Sequence, residues 1–142
     1  MDTKPLRMNK ILFTASLTAM LAAWPTAALA KAPIEGRWLN PKGSVTVRVA
    51  PCGPAFCATV IEANAKAKAT AKKGGTRNLI GTQVMTDFRA RGDGTYRGRA
   101  FDPKRNLRAP ATIRMIGEST LVVRGCLISG IVCKEQRWTR IG

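Results

Sequence analysis

Valine occupies every second position in residues 44–50. Val45, Val47 and Val49 fall on one face, Thr46 and Arg48 on the other. A period of two over this length predicts a strand with one buried and one wet face. Comparable runs follow at residues 56–61, 79–88, 95–101, 109–115, 120–126 and 131–141. Turn formers separate them: Asn40-Pro41-Lys42-Gly43, Gly92-Asp93-Gly94, Asp102-Pro103-Lys104-Arg105-Asn106, Gly117-Glu118-Ser119 and Ser129-Gly130. Gly and Asn tolerate a positive φ, Asp bonds its own backbone, and Pro pre-sets a turn. Seven or eight strands at this spacing predict an all-β chain, either a sandwich or a small antiparallel up-and-down barrel of about eight strands.

Residues 62–78 break the pattern. The segment EANAKAKATAKKGGTRN is rich in Ala and Lys and stops at Gly74-Gly75. Glu62 at the start and Lys near the end would suit a two- or three-turn helix. Alternation of Ala with polar residues gives that helix no apolar stripe to hold it down. A mobile cationic loop is an equal reading. Without an aromatic residue it offers no platform for stacking bases.

The start of the chain reads as an address. Lys4, Arg7 and Lys10 precede an apolar run over residues 11–24, and Ala28-Leu29-Ala30 supplies the small residues a signal peptidase reads. These three features predict a secretory signal over residues 1–30, cut after Ala30, and one domain over residues 31–142. A bilayer span needs ~20 apolar residues, more than this run has, and no second such run follows. The product is therefore expected to be periplasmic or secreted, with no transmembrane anchor after processing.

Export changes the meaning of the cysteines. Cys52, Cys57, Cys126 and Cys133 all lie beyond the cut. An even count in an oxidising compartment reads as two disulfides. With Ser129-Gly130 as a two-residue turn, Cys126 faces Cys133, within bridging distance for an antiparallel pair. The same counting around Pro54-Ala55 sets Cys52 opposite Cys57, although Pro suits an ordinary turn better than a tight hairpin. Pairings 52–57 and 126–133 are thus favoured over the crossed ones. Zinc competes poorly, since the spacings are C-x4-C and C-x6-C and no His completes a site.

Charge and residue inventory narrow the chemistry. The chain has 24 Lys+Arg, 8 Asp+Glu and no His, a formal net charge of +16. Residues 1–30 hold Lys4, Arg7, Lys10 and Asp2, so 21 basic and 7 acidic residues, net +14, remain in the other 112. Without His there is no His-activated nucleophile, His base or His-ligated metal. Paired cysteines leave no free thiol, and no phosphate-binding glycine motif occurs. Asp93 and Asp102 sit in turn sequences, where such side chains bond nearby backbone N–H groups. No catalytic residue, cofactor or metal site is expected. The basic excess invites an anionic partner, with Lys66, Lys68, Lys72, Lys73 and Arg77 as a candidate anion-binding cluster. Sequence-specific nucleic-acid recognition is not expected.

Short motifs at the two ends point further. Gly36-Arg37-Trp38 near the start and Trp138-Thr139-Arg140 near the end resemble the closure of lipocalin-like barrels, where an Arg from the last strand lies across the Trp of the first. The resemblance implies that Gly36, Trp38 and Arg140 close one end, a guanidinium on an indole face.

Between those ends come Pro51-Cys52-Gly53 with Cys57, Leu79-Ile80-Gly81, Gly92-Asp93-Gly94-Thr95-Tyr96-x-Gly98, Phe101-Asp102-Pro103 and Leu121-x-Val123-x-Gly125-Cys126. Over residues 34–141 this order resembles the bacterial family of unknown function numbered 2147. The resemblance implies a small exported protein with a lipocalin-like barrel and carries no enzymatic activity with it. Two departures stand out: the long loop is Lys/Ala-rich rather than rich in Asp, Asn and Pro, and Gly98-Arg99 replaces a Gly-Gly pair.

Two readings follow. The first is a non-enzymatic envelope protein that either binds a small apolar ligand in its barrel or has a structural role. An eight-stranded barrel is either filled by side chains or holds one small ligand. Residues expected to face inward include Val45, Val49, Val60 and Leu121, with Val47, Met85, Tyr96, Ile113, Met115, Val123 and Trp138 as the candidate cavity lining. The alternative is a basic envelope protein that binds a polyanion: lipopolysaccharide, anionic lipid headgroups or extracellular DNA.

Overall fold

A computed structural model describes residues 3, 25, 30–127 and 131–142. The signal reading over residues 1–30 and the Ser129-Gly130 turn fall almost wholly outside the described residues. Eight strands and one helix follow in order: β1 (Gly36–Leu39), β2 (Val45–Cys52), β3 (Ala55–Ala63), α1 (Ala65–Lys73), β4 (Gln83–Ala90), β5 (Thr95–Asp102), β6 (Leu107–Ile116), β7 (Thr120–Leu127) and β8 (Val132–Arg140). Each strand pairs antiparallel with its sequence neighbour, and β1 pairs with β8 to close the barrel. The barrel reading therefore holds and the sandwich does not. The closing seam is short: Trp38 faces Arg140 and Leu39 faces Thr139, and past them the Ile141 N–H donates to Arg37 O and the Arg37 N–H to Gly142 O.

Alternation fixes the inside. Val47, Val49, Val60, Ile113, Leu121 and Trp138 are buried, while Arg48, Arg97, Arg99, Arg114 and Arg124 on intervening positions are exposed. Register shifts interrupt the alternation in β2–β3, β3–β4 and β4–β5. In β2–β3 the register shifts between Thr46 and Val47, and Thr46, expected on the wet face, is buried. An ion pair 2.9 Å long joins Arg37 on β1 to Glu62, the residue that faces Thr46 on β3. In β4, Asp87 adopts a left-handed φ of 57° within a register shift against β5. The extra residue lets both Met85 and Phe88 turn inward, 3 % and 1 % exposed. Phe88 then lies over Gly98, where a Cβ would come within 2.8 Å of its ring and 2.6 Å of the Thr86 carbonyl oxygen.

Residues 62–78 resolve in favour of the helix. The Asn64 side chain caps it by accepting from the Ala67 N–H, and Lys72 and Lys73 occupy its last turn. It is held down without a broad apolar stripe. Ala71 is buried and Ala67 packs on the core. Gly74 runs against the backbone of the β5–β6 turn, where a Cβ would overlap the Lys104 carbonyl, and the Thr76 hydroxyl donates to the Pro103 carbonyl at 3.2 Å. Strand β4 starts at Gln83 rather than at residue 79. Leu79 is buried, but residues 79–82 form a turn in which Thr82 N–H donates to Leu79 O.

Candidate functional site

The two ends of the barrel differ. At one end the β2–β3, β4–β5 and β6–β7 turns meet the chain entering β1 and leaving β8. Here Arg140 stacks on Trp38, its guanidinium carbon 4.3 Å from the ring centroid. Its Nε donates to Glu118 O at 2.7 Å, and its terminal nitrogens donate to Glu35 O at 2.7 Å and to Pro33 O. The Trp38 indole N–H donates to Ile34 O at 2.9 Å, and both residues are fully buried. Gly36, at φ 141°, leaves room for this guanidinium: a Cβ there would come within 2.5 Å of the Arg140 Nη1. This end is a plug.

The opposite end is open. A cavity of about 790 Å³ runs in from it, a size typical of small-molecule sites. Its walls are largely apolar, with Val45, Val60, Met85, Val123 and Trp138 deep and Leu127 and Val132 near the mouth. Helix α1 lines one side through Lys66, Ala67, Thr70 and Ala71, a single face at helical spacing. The mouth is cationic, carrying Lys42, Lys66, Lys104, Arg105 and Lys134. Its one acid, Asp102, pairs with Arg105 at 3.2 Å and accepts the Lys104 backbone N–H.

Of the seven candidate lining residues, Met85, Val123 and Trp138 line this cavity. Val47, Tyr96, Ile113 and Met115 do not; they face inward at the plugged end and pack in the core cluster. Strand alternation fixes which face a residue takes, but not its height along the barrel axis. Stepping by two along β8 from Trp138 reaches Gln136, Lys134 and Val132, lining residues that the sequence reading passed over.

Cys52–Cys57 and Cys126–Cys133 are both bridged, in the favoured pairing. Cys126 and Cys133 stand directly opposed, as counted. The first pair differs from the counting: Cys52 faces Ala55 and Cys57 faces Ala50, so the bridge runs diagonally across Cα atoms 5.8 Å apart. The turn tip lies at Gly53-Pro54, with Gly53 in the left-handed region. Two disulfides fit a periplasmic or extracellular location.

Lys66, Lys68, Lys72, Lys73 and Arg77 are all exposed, on α1 and just after it; only Lys66 reaches the cavity. Five of the seven acids in residues 31–142 serve local structure. Glu35 accepts the Ala32 N–H, Glu62 pairs with Arg37, and Glu135 approaches Arg137. Hydrogen bonds from the Thr95 side chain and backbone lower the pKa of Asp93, as expected of a turn. Burial raises that of the Tyr96 phenol, with the Glu35 charge adding to it. Among the described residues no group of three acidic, Cys or His side chains could hold a metal, and no helix is long and apolar enough to cross a membrane.

Residues 36–140 match the family described as "Uncharacterized protein conserved in bacteria (DUF2147)". Among solved structures the chain is similar to protein HP1028 from Helicobacter pylori, whose title places that protein in the lipocalin family. The two are 18% identical, with a TM-score of 0.62 over 76% of this chain and 82% of that one, a likeness of fold. No curated protein matches.

Proposed function

The chain belongs to the DUF2147 family of bacterial proteins, and from that premise we propose that it is an exported envelope protein that holds a small apolar ligand in its barrel without catalysing a reaction. The open-ended cavity of about 790 Å³ carries this reading. An eight-stranded barrel whose open end is not filled by side chains has room for one such ligand. The lipocalin-like fold supports it, as does the engagement of five of the seven acids in turns and ion pairs. The disulfides and the charged, apolar and small-residue order of residues 1–30 support export.

Native mass spectrometry of the protein purified from its own host tests this reading. A bound lipid-sized mass, released by organic extraction, is expected. Apo protein alone, with no thermal stabilisation by any fatty acid, would overturn it. N-terminal sequencing of the same sample should begin at Lys31.

A second reading has its own observation. Arg97, Arg99, Arg114 and Arg124 lie exposed on outward positions of three adjacent strands, and a hollow of about 200 Å³ lies between Arg114 and Arg124, with Glu135 opposite Arg124 on its wall. Arg89 directly faces Arg97 across β4–β5, a like-charge pair that costs stability. An anionic polymer laid on this face would relieve that repulsion. Binding to lipopolysaccharide should then weaken steeply with salt, and a protein of equal charge should bind less tightly.

A further inference from the structure

The hollow on the outer face of the barrel is flanked by both signs of charge. Thr95 on β5, Thr112 and Arg114 on β6, Val122 and Arg124 on β7 and Glu135 on β8 enclose its 200 Å³ or so. Arg124 and Glu135 face each other directly across β7–β8. Two residues along the same strands, Cys126 and Cys133 are opposed with Cα atoms 4.0 Å apart, so Arg124 and Glu135 belong to the closely spaced class of pair. Opposite charges so placed ordinarily join. Here they stay apart: Glu135 approaches only Arg137, at 4.0 Å, and neither Arg114 nor Arg124 forms an ion pair among the described residues. The hollow lies between the parted side chains. Thr112 faces Arg124 and Arg114 faces Val122, so the two arginines stand on a diagonal of adjacent strands, roughly 7–8 Å apart at the backbone. Val122 lines the hollow yet is only 3% exposed, which makes it an apolar floor. The Thr95 hydroxyl is committed to Asp93 at 2.5 Å, whereas that of Thr112 makes no hydrogen bond among the described residues.

From this arrangement we infer that the hollow takes a phosphate ester bearing a primary amine, a group of the phosphoethanolamine type. The phosphate sits between Arg114 and Arg124 and accepts from the Thr112 hydroxyl. The ammonium takes the Glu135 carboxylate, and the two methylenes between them lie on Val122. A carboxylate is satisfied by one guanidinium fork; donors from two arginines and a hydroxyl suit the further oxygens of a phosphate. Arg124 and Glu135 stand on neighbouring strands, roughly 5 Å apart, about the separation of the two charges in such an ester. The inference rests on the arginine face being a binding surface and is independent of the barrel cavity. It narrows that reading, because a bare polyanion meets repulsion at Glu135 and a zwitterion does not.

Two soluble probes separate the charges: O-phosphoethanolamine and ethyl phosphate, each titrated into the disulfide-intact protein. The first should bind about threefold more tightly, the value of one exposed charge contact. Glu135→Gln should abolish that preference by improving the binding of ethyl phosphate. Arg114→Gln should weaken both probes, as should added salt. In the wild-type protein, the Arg114 and Arg124 guanidinium N–H signals should shift with both probes and the Glu135 carboxyl carbon with phosphoethanolamine alone. Arg48, exposed on β2, serves as the control. Vesicles identify the source. Sedimentation with phosphatidylcholine vesicles that contain phosphatidylethanolamine, and not with pure phosphatidylcholine, supports the inference with a membrane lipid as the bearer. A response to the soluble ester without sedimentation supports it with a soluble or glycan-borne ester. Equal affinity for the two probes, unchanged by Glu135→Gln, would overturn the inference; salt-dependent lipopolysaccharide binding in the same sample would then leave the polyanion reading standing. No response of Arg114 or Arg124 to either probe, together with no salt-dependent lipopolysaccharide binding, would overturn both.

Discussion

Arg140→Ala removes the side chain that binds the plugged end together. The Arg140 guanidinium makes one part-buried hydrogen bond, to Glu35 O, and two exposed ones, to Glu118 O and Pro33 O. A hydrogen bond from a charged donor contributes about 1.5–3 kcal/mol when water is excluded, and about 0.5 kcal/mol is reasonable for each exposed one. Stacking on Trp38 adds about 1 kcal/mol. The total is about 4 kcal/mol, a large part of the ~5–15 kcal/mol stability of a domain this size. The thermal midpoint should fall by roughly 15–25 °C. Arg140→Lys keeps the charge but loses the fork, and should give about half the effect. Equilibrium urea denaturation followed by tryptophan fluorescence, disulfides intact, measures both. Limited proteolysis should cut residues 31–35 of the Ala variant, because two of their carbonyls lose their anchor. A loss below about 1 kcal/mol would refute the plug as a stabilising device.

Other perturbations probe separate features. Gly98→Ala drives a methyl into Phe88 and the Thr86 carbonyl and should cost about 1–3 kcal/mol; Gly125→Ala, where the nearest atoms stand at 3.9 Å, should change stability by less than about 0.5 kcal/mol. Paired Cys126→Ser and Cys133→Ser opens a short loop and should cost about 2 kcal/mol, seen in the same urea titration against the parent. Tyr96 is the chain's one tyrosine, so alkaline ultraviolet titration reports it alone. Because its folded pKa is raised, its contribution is complete below the ordinary value of ~10 and is lost as pH rises through the folded one. The phenol should ionise later than free tyrosine, and stability should fall as pH rises from about 10 through that ionisation.

The features legible in the sequence were those written in local alternation. The Val45/Val47/Val49 run, the turn residues and the Cys126/Cys133 spacing each depend on a few neighbours. What stayed hidden depends on long-range placement. Asp87 gives no sign that it will take a left-handed conformation, so the inward turn of both Met85 and Phe88 is invisible beforehand. Ala67 and Ala71 are too small to mark a stripe, yet small size is what lets α1 lie close to the rim. Tyr96 and Met85 share an inward face and differ only in distance from the mouth, a coordinate no period-two pattern contains.

The short seam also sets an order of events. Seven of the eight strand pairings join sequence neighbours and zip locally, the fast kind of contact formation. The eighth brings Trp38 and Leu39 to Arg140 and Thr139, about a hundred residues away. Loop closure over that span grows only slowly in entropic cost, so the seam is cheap to hold but late to form. Until residue 140 is available the chain is an open meander with two unpaired edges, each a template for another strand. Synthesis therefore handles a molecule that cannot lock shut prematurely, and its aggregation hazard ends only when the last strand arrives.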